Sequence, residues 1–204
     1  MPRRRTLIAS AVAALAAPRA GMTQEAAGHV ARLVGSGLLL RGGGSQPLAE
    51  GAALFLGDVV RTGLAAKVQI DCPDGLVVVV GPESEVRISD FSRGRGLYSV
   101  ELMLELLAGI VRLVGPAQAA PRRVDVLTRS ALASVRSTDW LVTLTPTGTG
   151  VFSREGRVEV SGVAGGTVFL GAGEGTDVAL GTAPTPPRRW GDTRRDAALA
   201  RTTL

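Results

Sequence analysis

The sequence predicts an all-β protein: one domain of many short strands, arranged as a sandwich, a roll or a short β-solenoid. Three observations predict it. Apolar residues alternate with polar ones over several short segments, and strand signals recur about every 8–12 residues. The chain also carries 27 Gly and 11 Pro in 204 residues, far more than a helical bundle would hold.

Taken in order, residues 1–17 come first. Pro2-Arg3-Arg4-Arg5 precedes the uncharged apolar run 6–17, the pattern of a secretory signal peptide with a core too short for a mature membrane span. Ala14-Leu15-Ala16 fits the small-x-small cleavage rule, and Arg4-Arg5-Thr6-Leu7-Ile8 resembles a twin-arginine signal. Export to the periplasm of a Gram-negative bacterium, by the Sec or twin-arginine route, is the expected localisation. No later stretch reaches 18 apolar residues, so the mature form is expected to lack an integral membrane segment.

The β-domain is expected over residues 28–181. Arg41-Gly-Gly-Gly-Ser45 reads as a loop between strands. In 65–71, Ala66, Val68 and Ile70 alternate with Lys67, Gln69 and Asp71, a half-buried strand. Asp74-Gly75 is a hairpin signal, because Gly tolerates positive φ. Leu76–Val80 is a β-branched run buried on both faces, Gly81-Pro82 breaks it, and 84–89 alternates again around Val86 and Ile88. Residues 98–107 fit both periods: Glu101 and Glu105 share a helical face, yet Tyr98, Val100, Leu102, Leu104 and Leu106 alternate strictly. Strand is the better reading, and Gly109 between this run and 110–114 predicts a hairpin. Further strands are expected at 124–128, 140–144, 151–153, 157–160, 167–170 and 177–180, punctuated by Gly148, Gly150, Gly156, Gly162, Gly165-Gly166 and 171–175. Residues 182–204, a Pro/Arg-rich tail, are expected to be extended, then weakly helical, and mostly disordered.

Charge and composition exclude several functions. The formal charge is +5, but residues 1–17 hold three Arg and no acid, and residues 184–204 hold five Arg against two Asp. The body between is close to neutral, so no nucleic-acid partner is expected. The chain has one Cys (Cys72), one His (His29), one Lys (Lys67), no Asn, and 3% aromatic residues. No intramolecular disulfide, cysteine zinc site or cofactor is expected, and a catalytic triad would have to use His29. Gly171-Ala-Gly-Glu-Gly lacks both dinucleotide-loop spacing and a following helix, so it reads as a turn. His29 reads as a surface residue and Cys72 as an inert thiol. Arg188-Arg189-Trp190 with Arg194-Arg195 is the one basic-aromatic cluster, either a solubilising tail or a contact to an acidic surface.

At residues 51–63, Gly51-Ala-Ala-Leu-Phe-Leu-Gly57-Asp58-Val-Val-Arg-Thr62-Gly63 resembles the opening signature of the FecR-type periplasmic domain. The family continues with a small-residue strand, an aspartate-glycine turn and a valine-rich strand, matched by Ala65–Asp71, Asp74-Gly75 and Leu76–Val80. Thr128-Arg-Ser-Ala131-Leu-Ala133-Ser-Val135-Arg136-Ser137-Thr138-Asp139-Trp140 resembles its central segment, with Arg129 for the usual Pro and Ser137 for the usual Gly. Gly156-Arg-Val158-Glu-Val160 and 168–175 resemble its closing strands.

The motif residues Gly57, Asp58, Thr62, Gly63, Asp74, Gly75, Arg136, Thr138, Asp139 and Trp140 have an architectural reading. The glycines serve turns, Asp58 and Thr62 bond backbone at strand ends, and Arg136 forms an ion pair with Asp139. No catalytic residue and no metal ligand is assigned. The resemblance implies a stand-alone exported FecR domain, a non-catalytic binding or scaffold module contacting an envelope protein or cell-wall glycan. One alternative is a signalling component regulating an envelope or sigma-factor pathway through a membrane partner. A weaker one is a glycan hydrolase using two carboxylates among Asp71, Asp74, Glu83, Glu85 and Glu101.

Overall fold

The computed structural model describes residues 24–93, 100–116, 122–135 and 139–204. The signal-peptide segment 1–17 lies outside them, as do Arg136 and Thr138 and the side chain of Asp74.

The alternating segments become strands. The first half holds β1 (Gly28–Val34), β2 (Gly37–Arg41), β3 (Gly44–Pro47) and β4 (Ala53–Leu54). It continues with β5 (Val59–Thr62), β6 (Lys67–Asp71), β7 (Val77–Val80) and β8 (Glu85–Arg93). A long strand, β9 (Val100–Val114), leads to β10 (Arg122–Leu127), β11 (Ala131–Val135), β12 (Asp139–Thr145) and β13 (Gly148–Glu155). Then come β14 (Val158–Gly162), β15 (Thr167–Leu170), β16 (Glu174–Ala179), β17 (Arg188–Arg189) and one helix, α1 (Asp192–Arg201). Among the described residues no helix is long and apolar enough to cross a membrane.

Two sheets result, and β9 belongs to both. Sheet I runs β4, β1, β6, β7, β9, β12, β13, β16, β17. Sheet II runs β3, β2, β5, β8, β9, β10, β11, β14, β15. Among the described residues only the β9–β10 pairing is parallel. The expected hairpin at Gly109 is not formed. Gly109 has φ +83°, and there β9 bends and passes from sheet II to sheet I as a single strand. A positive-φ glycine serves a bend as well as a turn, so the local signal was the same for both.

One core fills the space between the sheets. Sheet I contributes Val30, Val68, Val80, Val111 and Trp140, and sheet II contributes Leu39, Val60, Leu104, Val126 and Val160. Gly148 opens β13, while Gly150 does not end a strand but lies inside β13. A Cβ at Gly148 would stand 2.8 Å from the Cα of Ala179 on β16, so the close approach of the two strands requires glycine.

Beyond residue 181 the expectation of disorder is overturned. β17 pairs with β16, and α1 packs on the outer face of sheet I. The cause is apolar surface on that face. Ile110, Leu141 and Phe152 point away from the main core and are 0–1% exposed only because Trp190, Ala198 and Leu199 cover them. Trp190 stacks on Phe152 with ring centroids 5.0 Å apart. Burying that indole contributes about 2–3 kcal/mol.

The one positive-φ residue other than glycine, among those described, is Glu83, at φ +53° in an exposed turn. An L side chain there costs about 1–2 kcal/mol, partly offset in glycine by backbone entropy. Glu83→Gly is therefore expected to stabilise the fold by about 0.5–1 kcal/mol, read as a rise in melting temperature of roughly 1–4 °C. An unchanged or lower melting temperature would contradict it.

Candidate functional site

The segment Gly51–Gly63 folds around Asp58. Phe55 to Asp58 form a tight turn closed by Asp58 N–H to Phe55 O at 3.1 Å, with Gly57 at φ +89°. The Asp58 side chain is buried beneath it. Its Oδ2 accepts from the Phe55 N–H at 2.7 Å, and Arg41 from β2 forks onto both oxygens at 2.7 and 2.6 Å. The same guanidinium donates to Ala53 O and lies over the Phe55 ring. At the other end of β5, buried Thr62 donates to Gly81 O at 2.6 Å and accepts from the Ser84 N–H at 2.9 Å. Gly63 N–H bonds to Ser36 O. Asp58 and Thr62 thus tie β5 to its neighbours at both ends.

Gly75 has φ +73° and closes a single 3₁₀ turn, Pro73–Gly75, between β6 and β7. Trp140 is a core residue, 1% exposed. Asp139, beside it, turns to the outer face of sheet I. Its partners among the described residues are Arg112 on β9, at 2.8 and 2.6 Å, and Arg154 on β13, at 2.8 Å. Burial pushes the Asp139 carboxyl up, but the two guanidiniums together outweigh it and hold the group below its ordinary value. The expected Arg136–Asp139 pair involves a residue outside the described set.

The five acids weighed as hydrolytic candidates are not one constellation. Asp71 faces outward on sheet I and accepts from Gln69 at 2.8 Å. Glu85 is on sheet II, paired with Arg61 at 2.8 Å. Glu83 is on its turn, and the side chain of Asp74 is outside the described set. Of the four acids with described side chains, Glu101 joins a hollow, on the outer face of sheet II, lined by Asp90, Glu101, Leu102, Met103, Arg123 and Asp125. Asp125 is 4% exposed there; its Oδ2 accepts from Arg123 Nε at 2.9 Å, and its Oδ1 has no hydrogen-bond partner among the described residues. Ser92 donates to Glu101, and the Arg87–Glu105 ion pair lies farther along the same face. Acids and one guanidinium around an apolar floor can bind hydroxyl and amino groups by hydrogen bonds.

Asp90, Arg123 and Asp125 were missed by sequence reasoning. The signal was faint: β10 alternates Val124 and Val126 with charged Arg123 and Asp125, and only β9–β10 pairing brings Glu101 opposite Arg123. Among the described residues no group of three His, Cys, Asp or Glu is placed to hold a metal ion. His29 is exposed on β1.

Cys72 packs against the core, and burial, aided by the charge of Asp71, pushes its thiol up to about 12, with Arg122 opposing. At pH 8 it is therefore expected to react with iodoacetamide about a hundred- to a thousandfold more slowly than a free thiol, and normally after denaturation. Mass spectrometry of the alkylated native protein checks this; complete labelling within minutes would refute it.

Comparison with known proteins agrees with this architecture. Residues 58–159 match the family model described as FecR protein. Two crystal structures of a candidate anti-sigma factor from Parabacteroides distasonis, at 1.65 and 2.50 Å resolution, share the fold with TM-scores of 0.56. They are 19% and 18% identical over 69% of this chain. The match spans 64% and 63% of those two chains. No curated protein matches the sequence.

Proposed function

Because the chain belongs to the FecR protein family, we propose that it is a non-catalytic binding module with a regulatory, signalling-related role in the cell envelope. In this reading residues 1–17 are a signal peptide, the β-domain over 28–181 acts in the periplasm, and it contacts an envelope protein or a cell-wall glycan. The observation that carries it is where the motif side chains spend their hydrogen bonds. Asp58, Thr62 and Asp139 are all bonded to neighbouring strands or turns, a use that holds the fold together and leaves no reacting group among them. Polar groups open to a ligand line the hollow on the outer face of sheet II, around Asp90, Glu101 and Arg123, and support this reading. Such groups suit the hydroxyls of a glycan or the polar rim of a protein contact.

A second reading has the module act on a sigma-factor pathway through a membrane partner. The candidate anti-sigma factor of the same fold favours it.

A photo-crosslinking residue at position 103, in the floor of the hollow, tests the first reading in intact cells. One stoichiometric protein or glycan adduct is expected, lost when Glu101 and Arg123 are both changed to Ala. Repeated absence of any adduct would overturn it. A change in sigma-dependent transcripts on deleting the gene, with no adduct from the hollow, would favour the second reading.

A further inference from the structure

The segment that covers the outer face of sheet I is held by contacts that do not depend on its being joined to the same chain. The Trp190 indole lies between Phe152 and the Arg194 guanidinium, which stands 3.8 Å from the ring centre. Gly175 makes room for it, since a Cβ there would come within 2.7 Å of Trp190 Cδ1. Arg194 also forks onto both oxygens of Asp177 on β16. At the far end the single lysine of the chain, Lys67 on β6, donates to Ala200 O at 2.8 Å and Thr203 O at 2.6 Å. Ala200 O is one of the carbonyls a helix C-terminus leaves open, and Thr203 O lies just beyond the helix. The face is therefore a groove with an aromatic seat, an anionic post one helical turn away and a cationic cap for a helix end.

The connection to this segment is thin. Leu180-Gly-Thr-Ala-Pro184 is exposed along most of its length. Its backbone ties are Leu180 N–H to Thr147 O and Thr182 N–H to Ala179 O. From Thr185 onward the chain is bonded to β16 again, through Thr176 and Asp177. Pro184, Pro186 and Pro187 stiffen the approach and favour an extended path.

We propose that this groove also accepts the C-terminal segment of a second copy, so that two chains form a dimer by exchanging residues 185–204. Every contact above is reproduced across the pair, as symmetric exchange requires. A tethered segment competes at an effective concentration of about 1 mM, so the native chain is monomeric when dilute and dimerises as its own concentration approaches that value.

Exchanging the charges of one contact separates the two cases. Asp177→Arg and Arg194→Asp each place like charges together in the closed chain and in a dimer of identical copies. Mixed one to one, the two variants restore opposite charges in both grooves of an exchanged dimer. Native mass spectrometry at about 50 μM, well below the tethered concentration, is expected to show the mixed dimer as the main dimeric species, with each variant alone monomeric. A mixture that stays monomeric, or a variant that dimerises equally by itself, would overturn the proposal. The doubly changed chain, with its pair restored internally, should be monomeric and melt near the native temperature. If a single variant does not fold, light scattering of the native chain at about 1 mM decides: a mass rising toward twice the monomer supports exchange, and a constant monomer mass refutes it.

Discussion

Gly109→Ala is expected to cost about 3 kcal/mol or more and to lower the melting temperature by roughly 6–12 °C. Two effects add. At φ +83° an L side chain is strained by about 1–2 kcal/mol. The added Cβ would also stand 2.6 Å from Glu83 O and from Ser84 Cα, and closer still to Ser84 Oγ. Those are backbone atoms of a turn that Thr62 already pins, and Ser84 Oγ itself accepts from the Ile110 N–H at 2.8 Å. Neither side has room to yield. Gly57→Ala is the control: its φ is +89°, but nothing lies within 4 Å of the new Cβ, so only the strain of about 1–2 kcal/mol is expected. Thermal melts of the two variants separate overlap from strain, and equal losses would refute the packing part of the argument.

Asp139→Ala is expected to destabilise by about 3–5 kcal/mol, because it strands Arg112 in a largely buried position. The Arg112 side chain is 13% exposed, whereas Arg154 is 50% exposed and can turn to water. Arg154→Ala should accordingly cost no more than about 1 kcal/mol. The same cluster gives a pH dependence. The Asp139 carboxyl is held below its ordinary 3.8 in the folded protein, so its stabilisation is fully present above that value. It disappears as pH falls through the lower folded value, where the folded state must take up the proton. The stability difference between native protein and Asp139→Asn should therefore be constant at neutral pH and shrink below about pH 4. A difference that grows on acidification would refute the assignment.

What was legible in the sequence was what depends on neighbours along the chain. Lys67–Asp71 and the stretch around Val86 and Ile88 announce themselves by alternation, and the turn at Asp74-Gly75 by its turn chemistry. What depends on distant pairing was not legible. Arg112 and Arg154 lie 27 and 15 residues from Asp139, so no spacing rule links them. Glu101 meets Arg123 only because β9 and β10 run parallel. The tail was misread for a different reason. Its composition is that of a disordered segment, and one Trp is a weak local signal. The stronger evidence sat elsewhere: Leu141-Val142 and Val151-Phe152 are apolar at consecutive positions. A strand apolar on both faces needs a cover on its outer side, and here the C-terminal segment supplies it through Trp190, Ala198 and Leu199.

The strand that both sheets share bears on how the molecule comes apart. Neither sheet can lose β9 and survive, since in each it lies between other strands. The two layers cannot melt one after the other, and partial opening is confined to outer strands such as β3, β15 and β17. Amide protons along β9 on both sides of Gly109 should then share one opening free energy, that of complete unfolding, while those of α1 exchange through local release. The bend that lets one strand serve two layers also makes them a single cooperative unit.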